Sequence, residues 1–345
     1  MLIMKKSFLF IVFLSISTCF FAQRQIENGL FLHSISNNND TIDFIVCRNQ
    51  ETTTRPTILF CQGSSPVPLI VDFEEQLFIP SLNNFDYREI SKKYNIIVIS
   101  MPHTPPIARF EQLNRNLQYV SDLNDEHSFD SFYLRDNYLE KYVERAEAVL
   151  CSIKNELWVD TTKIAVVGHS QGSYIAVKLA QKNDFIGCVG YFSGNPAGRY
   201  TIKIRNERRM ANAKHITHAE AQENINRIYE EWRLFNQNKV PNGYAGDPPY
   251  TWISFTLPLW ESLIELKTPI FITYGTMDTN SSESCELLPV YFEKYGKTNY
   301  KILPFVGCGH NFEEIDEDGQ PDFNNMYWDK AINEFIIWWE SLKTK

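Results

Sequence analysis

The chain has 345 residues, 43 % apolar and 14 % aromatic, with 33 basic against 42 acidic side chains and a formal charge of −9. That apolar and aromatic content belongs to a well-buried globular core and excludes a disordered chain, while the acidic balance argues against nucleic acid or an anionic membrane surface as a partner. None of the seven cysteines lies in a C-x-x-C pair, so the usual zinc and thiol-redox spacings are absent.

Residues 1–22 read as an export signal. Lys5 and Lys6 precede an apolar run, Ser7–Ile16, and the small residue Ala22 follows Cys19-Phe20-Phe21, where cleavage is expected. A membrane anchor is the competing reading, but the run is shorter than the roughly 20 residues a spanning helix needs. No later stretch is long and apolar enough to cross a bilayer. After processing, the chain is therefore expected to be periplasmic or extracellular, with no stable membrane span and residues 23–345 forming the folded domain.

Beyond the signal, short apolar runs alternate with amphipathic stretches, the pattern of an α/β layer fold. Leu30–Ile35 and Thr41–Cys47 read as an opening pair of strands. Thr57–Cys61 and Asn95–Ser100 are continuous β-rich runs, as central parallel strands should be, with a short helix at Phe85–Tyr94 between them. An irregular stretch rich in Asn, Asp and Ser runs to about Arg135. Asn137–Glu156 is expected to be a helix, because Tyr142, Val143, Ala146, Val149 and Leu150 recur at i, i+3, i+4 spacing. Lys163–Val167 is the next buried strand, Ser173–Gln181 the next helix and Phe185–Phe192 a further strand.

The alternation then stops from Gly194 to Lys267. This insert carries one clear helix signal: Thr217 and Glu220 form a capping box ahead of the apolar stripe Ala221, Ile225, Ile228, Trp232 and Phe235. Pro269–Tyr274 and Asn299–Pro304 resume the strand rhythm around a helix near Cys285–Tyr295. A final helix is expected over Phe323–Leu342.

Ser170 lies in the stretch GHSQG, at the corner between the Lys163–Val167 strand and the helix that follows. A serine hydroxyl is a poor nucleophile unless a base takes its proton and donors stabilise the oxyanion. A serine held on a sharp strand-to-helix turn also needs small residues two positions to either side, which Gly168 and Gly172 supply. Asp278 follows the Pro269–Tyr274 strand in the turn GTMD. His310 follows the next strand in GCGH, beside Gly309, and no other histidine lies C-terminal to Asp278. Ser170, Asp278 and His310 thus stand in chain order as nucleophile, acid and base, the acid after a later strand and the histidine after the strand next to that. Glu283 competes with Asp278 for the acid role, and His169 reads as a packed neighbour of the serine.

From about Thr57 to the C-terminus the sequence resembles an α/β-hydrolase-fold serine hydrolase of the esterase and lipase kind. The strand-flanked GHSQG, the GTMD turn and the GCGH loop carry the resemblance. It implies an α/β fold: a mostly parallel central sheet flanked by helices. The 194–267 insert is expected to be a helical lid, placed between the strand after the nucleophile helix and the strand carrying the acid. The resemblance also implies an oxyanion hole made by the backbone N–H of Gln171 and a second N–H from the loop after the third strand. CQGSSP at 61–66 occupies that loop and makes Ser64 the second donor, although the family's more usual His-Gly is replaced here by Gln62-Gly63.

The substrate pocket is expected to include Tyr191, Trp232 and Trp252. Arg199, Lys203, Arg205, Arg208 and Arg209 form a local basic run, either a solvated face or a site for an anionic substrate group. Asp316, Asp318 and Asp322 read as an acidic surface turn in preference to a calcium loop, because the full ligand spacing is missing. The expected reaction is hydrolysis of a small-molecule carboxylic ester through an acyl-enzyme, with no cofactor and no metal. A peptidase of the same fold is one alternative, and would need a carboxylate such as Glu220, Glu223 or Asp247 for the substrate amine. A non-catalytic binding member of the fold is the other. The sequence leaves open the oligomeric state and whether Cys285 and Cys308 are joined.

Overall fold

The structure, a computed structural model, describes residues 22–38, 40–49, 53–74, 76–237 and 246–342. The expected export signal lies outside the described residues up to position 21. The chain alternates strands and helices in the order β1 Ala22–Glu27, β2 Leu30–Asn37, β3 Asp40–Cys47, β4 Arg55–Cys61, β5 Ile70–Asp72, β6 Leu77–Phe78, α1 Tyr87–Ser91, β7 Asn95–Ile99 and β8 Ile107–Arg109. There follow α2 Ser131–Asp136, α3 Leu139–Ile153, β9 Val159–His169, α4 Gly172–Lys182, β10 Cys188–Phe192, α5 Arg199–Asn212, α6 His218–Asn236, α7 Pro249–Thr256 and α8 Trp260–Glu265. The last elements are β11 Ile270–Gly275, α9 Ser282–Cys285, α10 Leu288–Tyr295, β12 Tyr300–Phe305, β13 Glu313–Ile315, β14 Pro321–Met326 and α11 Trp328–Ser341.

Nine of these strands form one sheet in the order β1-β2-β3-β7-β4-β9-β10-β11-β12. The first three pair antiparallel and β3 meets β7 antiparallel; from β7 to β12 every pairing is parallel. The parallel strands are the unbroken apolar runs of the sequence, Ile96–Val98, Ile164–Val167 and Ile270–Ile272, all fully buried. Such runs have no polar face to offer water, so helices must cover both sides. On one side Val143, Ala146, Val149 and Leu150 of α3 and Ala176 of α4 pack against Val166 and Ile272. On the other, Trp328 and Phe335 of α11 pack against Phe60, Phe192 and Phe271, and Trp328 stacks on Phe192 at 5.6 Å.

Two of the differences from the sequence reading concern the last helix and the insert. The final helix starts only at Trp328: Phe323 and Met326 belong to β14, and residues 316–320 turn the β13–β14 hairpin, with Gly319 at φ +76°. Phe323 and Met326 fall at i, i+3 by chance and continue the periodicity of the true helix backwards. The acidic stretch is thus a hairpin turn, in which the Asp316 carboxylate accepts the Asp318 and Gln320 N–H groups at 3.0 and 2.7 Å. The insert, in turn, holds four helices among its described residues, where the sequence signalled one. Its α6 starts at the capping box, where Thr217 Oγ1 accepts the Glu220 N–H at 3.1 Å and the Glu220 carboxylate accepts the Thr217 N–H at 2.8 Å. Cys285 and Cys308 are both free thiols.

His33 on β2 is fully buried and stacks on Phe44 at 5.1 Å. Burial, with the charge of Arg48, lowers its pKa to about 4; burial and the nearby His310 lower that of His169 to about 3. Both rings are neutral in the folded protein, whereas in the unfolded chain each takes up a proton near pH 6.5. Below that pH the unfolded state binds protons that the folded state refuses, so stability falls as pH drops from about 6.5 towards 4, by about 1.4 kcal/mol per pH unit for each histidine. Urea midpoints measured between pH 7 and 5 should fall accordingly, and His33→Phe should make the fall shallower.

Candidate active site

Strand β9 ends and α4 begins at Ser170, whose φ of +54° puts a non-glycine residue in the left-handed region. Such a conformation costs about 1–3 kcal/mol and persists only where the surroundings impose it. Here they do. A Cβ on Gly168 would lie 2.1 Å from the Gly172 carbonyl oxygen, and one on Gly172 would lie 2.0 Å from the Cys61 carbonyl oxygen at the end of β4. The Ser170 N–H donates to the Phe192 carbonyl at 2.9 Å, and the Ser173 hydroxyl bonds the Gly168 and Phe192 carbonyls at 2.9 and 3.0 Å. The turn therefore lifts the Ser170 hydroxyl above the carboxyl ends of the parallel strands, where open α/β sheets carry their sites.

Asp278 follows the end of β11, and His310 the end of β12. The two loops touch: a Cβ on Gly275 would lie 2.2 Å from the Cys308 carbonyl oxygen. Asp278 is 2 % exposed. Its Oδ2 accepts a hydrogen bond from His310 Nδ1 at 2.8 Å and another from the Ser281 hydroxyl, and its Oδ1 accepts the Asn280 N–H at 2.9 Å. Burial pushes the carboxyl up, but the hydrogen bond and charge of His310, with the Ser281 and Asn280 donors, hold it below the usual carboxylate range. Because the carboxylate only accepts, Nδ1 carries the imidazole proton and Nε2 is left as an acceptor. Nε2 stands 3.0 Å from Ser170 Oγ.

Glu283, the competing acid, does not approach His310; it pairs with Arg209 and Arg205 of α5 at 2.7 and 3.0 Å. His169 packs on Trp328 at 5.0 Å, and its Nε2 donates to the His310 carbonyl at 3.1 Å, so it braces the histidine loop.

A cleft of about 340 Å³ opens beside these residues, bordered by Ser64, Ser170, Gln171 and His310. The loop carrying Ser64 passes close to the serine, since a Cβ on Gly63 would lie 3.9 Å from the Ser170 Cβ. Gln62 donates its amide to the Ile99 carbonyl at 3.1 Å and pins that loop. Of the three aromatics expected in the pocket, Trp252 lines the cleft. Tyr191 does not: it is fully buried among the residues under α3 and α4, because strand alternation turns it to the same side as Val189. Trp232 is not on the cleft wall; its ring packs at a tilt against Tyr200 at 4.8 Å.

The basic run splits between two jobs. Arg205 and Arg209 tie α5 to the acid loop through Glu283, with further bonds to the Ser284 hydroxyl at 2.7 Å and the Thr279 carbonyl at 3.0 Å. Arg199 and Lys203 instead border the cleft. Arg199 spreads its guanidinium over Trp252 and Phe255 at 5.0 and 4.9 Å, hydrogen-bonds Gln171 Oε1 and stands 3.6 Å from Asp247. Arg208 bonds Gln222. Of the carboxylates considered for a substrate amine, Glu220 is spent on its capping box, Glu223 is exposed, and Asp247 is on the cleft wall facing Arg199. Ser193, Phe255 and Asn280 also border the cleft, and nothing in their sequence context announced them.

Among the described residues, no group of three or more His, Cys, Asp or Glu is arranged to hold a metal, and no helix is long and apolar enough to cross a membrane.

No protein-family model matches the chain, and no curated protein matches it. Solved structures do. Est1E from Butyrivibrio proteoclasticus aligns over 90 % of this chain and 99 % of its own with a TM-score of 0.53 at 14 % identity. Acetyl xylan esterase from Paenibacillus sp. R4 aligns over 93 % and 88 % with a TM-score of 0.51 at 16 % identity. Pyrococcus horikoshii acylaminoacyl peptidase aligns over 94 % of this chain but 42 % of its own, with a TM-score of 0.51 at 13 % identity. At these identities the likeness is one of fold.

Proposed function

We propose that this chain, which has the α/β-hydrolase fold, is an exported serine hydrolase that cleaves a small-molecule carboxylic ester. One observation carries the reading: His310 bridges Ser170 and Asp278 through its two ring nitrogens, at 3.0 and 2.8 Å, on the wall of an open cleft. His310 takes the Ser170 proton as Oγ attacks the ester carbonyl, and Asp278 stabilises the imidazolium that forms. The backbone N–H groups of Gln171 and Ser64 receive the oxyanion. His310 then gives its proton to the departing alkoxide, leaving an acyl-serine. Water, deprotonated by the same ring, releases the acid and restores the hydroxyl.

The helices of residues 194–267 act as a lid over this chemistry: α5 and α7 supply Arg199, Lys203, Trp252 and Phe255 to the wall facing the serine. An ester substrate is favoured over a peptide, since Asp247, the one carboxylate among the described cleft residues, already faces Arg199. Export rests on the signal reading of residues 1–22.

Nitrophenyl esters of graded acyl length, assayed beside aminoacyl-nitroanilides with the purified protein and its Ser170→Ala variant, test the reading. Ester turnover is expected, lost in the variant, with the chain-length profile sizing the cleft. Turnover of the anilides alone would transfer the assignment to a peptidase, and reaction of neither class would favour a binding protein.

A further inference from the structure

We infer that the cleft beside Ser170 selects esters carrying a carboxylate, with Arg199 as the group that receives it. The inference rests on the serine-hydrolase reading of the site.

The first ground is where Arg199 lies. Its side chain is 19 % exposed, against Trp252 and Phe255. Taking a guanidinium out of water into an apolar wall is costly without strong partners, although its planar, weakly hydrated group tolerates stacking better than an ammonium. The partners present are modest. Gln171 Oε1 is a neutral acceptor. Asp247 pairs with Arg199 as an ion pair at 3.6 Å, looser than a bidentate contact, and its Oδ1 also accepts the Asn137 amide at 2.7 Å. A substrate carboxylate would give Arg199 the charged, bidentate partner its geometry fits.

The second ground is a pair of orphaned donors on the same wall. Among the described residues Gln171 Nε2 and Ser193 Oγ have no hydrogen-bond partner, and their residues are 8 % and 2 % exposed. Ser193 is held at a φ of +48°, following the strand end that anchors the Ser170 N–H. A buried donor without an acceptor costs about 1–3 kcal/mol. Gln171 Nε2 and Ser193 Oγ therefore lack an oxygen to donate to, which an anionic oxygen ligand supplies and an ammonium does not.

The third ground is charge. Lys203, one turn along α5, borders the cleft too, and its carboxylate partner Glu231, at 3.2 Å, is not among the cleft residues. Among the described residues Asp247, paired with Arg199, is the one carboxylate bordering the cleft, against the two cations Arg199 and Lys203, in a protein whose overall charge is −9. A positive lining in a low-dielectric cleft concentrates anions locally. Because Arg199 bonds the residue next to the serine, a short substrate spans the distance between carboxylate and scissile carbonyl.

Matched substrate pairs test this. Nitrophenyl hemisuccinate and hemiglutarate, compared with nitrophenyl butyrate and valerate, place the carboxylate on the acyl side. Acetoxybenzoate, compared with its methyl ester, places it on the alcohol side. In at least one arm the anionic member is expected to be preferred by about tenfold or more in kcat/KM, and that arm identifies the side. Arg199→Gln should reduce the anionic-to-neutral ratio by about ten- to a hundredfold, mainly through KM, as loss of a hydrogen bond between charged groups predicts. Arg199→Lys should restore part of it. Equal or better Ser170-dependent turnover of the neutral esters in both arms overturns carboxylate selection and leaves the hydrolase standing. If no ester reacts, the hydrolase reading fails, and calorimetry on Ser170→Ala decides the inference separately. Benzoate binding without benzamide binding, lost on adding Arg199→Gln, supports it; benzoate failing to bind overturns it.

Discussion

Replacing His310 with alanine is expected to cut ester turnover by about five to six orders of magnitude, nearly as much as removing Ser170 itself. Without the imidazole, nothing within reach of Ser170 Oγ accepts its proton, since the 3.0 Å contact to Nε2 is the one the hydroxyl makes with a base. The double variant Ser170→Ala/His310→Ala should lose little more than either single one, because groups that act as a unit do not lose activity additively. Asp278→Asn should cost about four orders of magnitude in kcat with the fold intact. The amide presents an N–H to Nδ1, the tautomer reverses, and Nε2 then points a proton at the serine. Steady-state kcat, with circular dichroism and melting temperature as controls for folding, checks all three. A loss below tenfold in Asp278→Asn would contradict the assignment of the acid and return attention to Glu283.

The second large effect concerns the turn. Gly172→Ala is expected to lose more than about 4 kcal/mol of stability, enough to prevent accumulation of folded protein. The added Cβ would lie 2.0 Å from the Cys61 carbonyl oxygen and 2.7 Å from that of Gln62. Both are backbone atoms at the end of β4, held by parallel pairing to β7 and β9, so no flexible side chain can swing aside. Gly168→Ala meets the same obstacle from the other side, against Gly172 itself. Gly187→Ala is the control: its Cβ finds the Ile164 carbonyl at an ordinary 3.5 Å, and its cost should stay within about 1 kcal/mol. Soluble yield and urea midpoints discriminate the three. Wild-type stability in Gly172→Ala would mean that the turn is not as tight as described.

These two predictions draw on the features most legible in the sequence. Central strands such as Ile164–Val167 are apolar on both faces and announce themselves without tertiary information. Ser170, Asp278 and His310 follow β9, β11 and β12, whose carboxyl ends lie on one edge of the parallel sheet with only β10 between the first two, so the loops that meet around the cleft could be named in advance. The insert was harder to read. Helix α5 buries only Tyr200 and Ala211 and has no apolar stripe; its pairings with Glu283 and Glu231 are set by partners that only the folded insert brings near. Tyr191 was misplaced by one step of strand alternation, since an aromatic at a strand end suits either the core or the cleft, and parity sends this one to the core. Arg199 was visible as one member of a basic run, but its separation from Arg205 and Arg209 is a matter of helix faces. Phe323 and Met326 matched a helical period while lying in the hairpin, a coincidence that two apolar residues three apart readily produce.

The central claim is that Ser170 is an activated nucleophile with His310 as its base. Reaction of the purified protein with a fluorophosphonate, followed by peptide mass mapping, tests it without knowledge of the substrate. The account predicts one adduct, on Ser170, forming rapidly in the wild-type protein and at a rate lowered by several orders of magnitude in His310→Ala, in keeping with the cost of losing a catalytic base. An adduct on another serine, no adduct at all, or labelling of Ser170 at an equal rate in His310→Ala would contradict it.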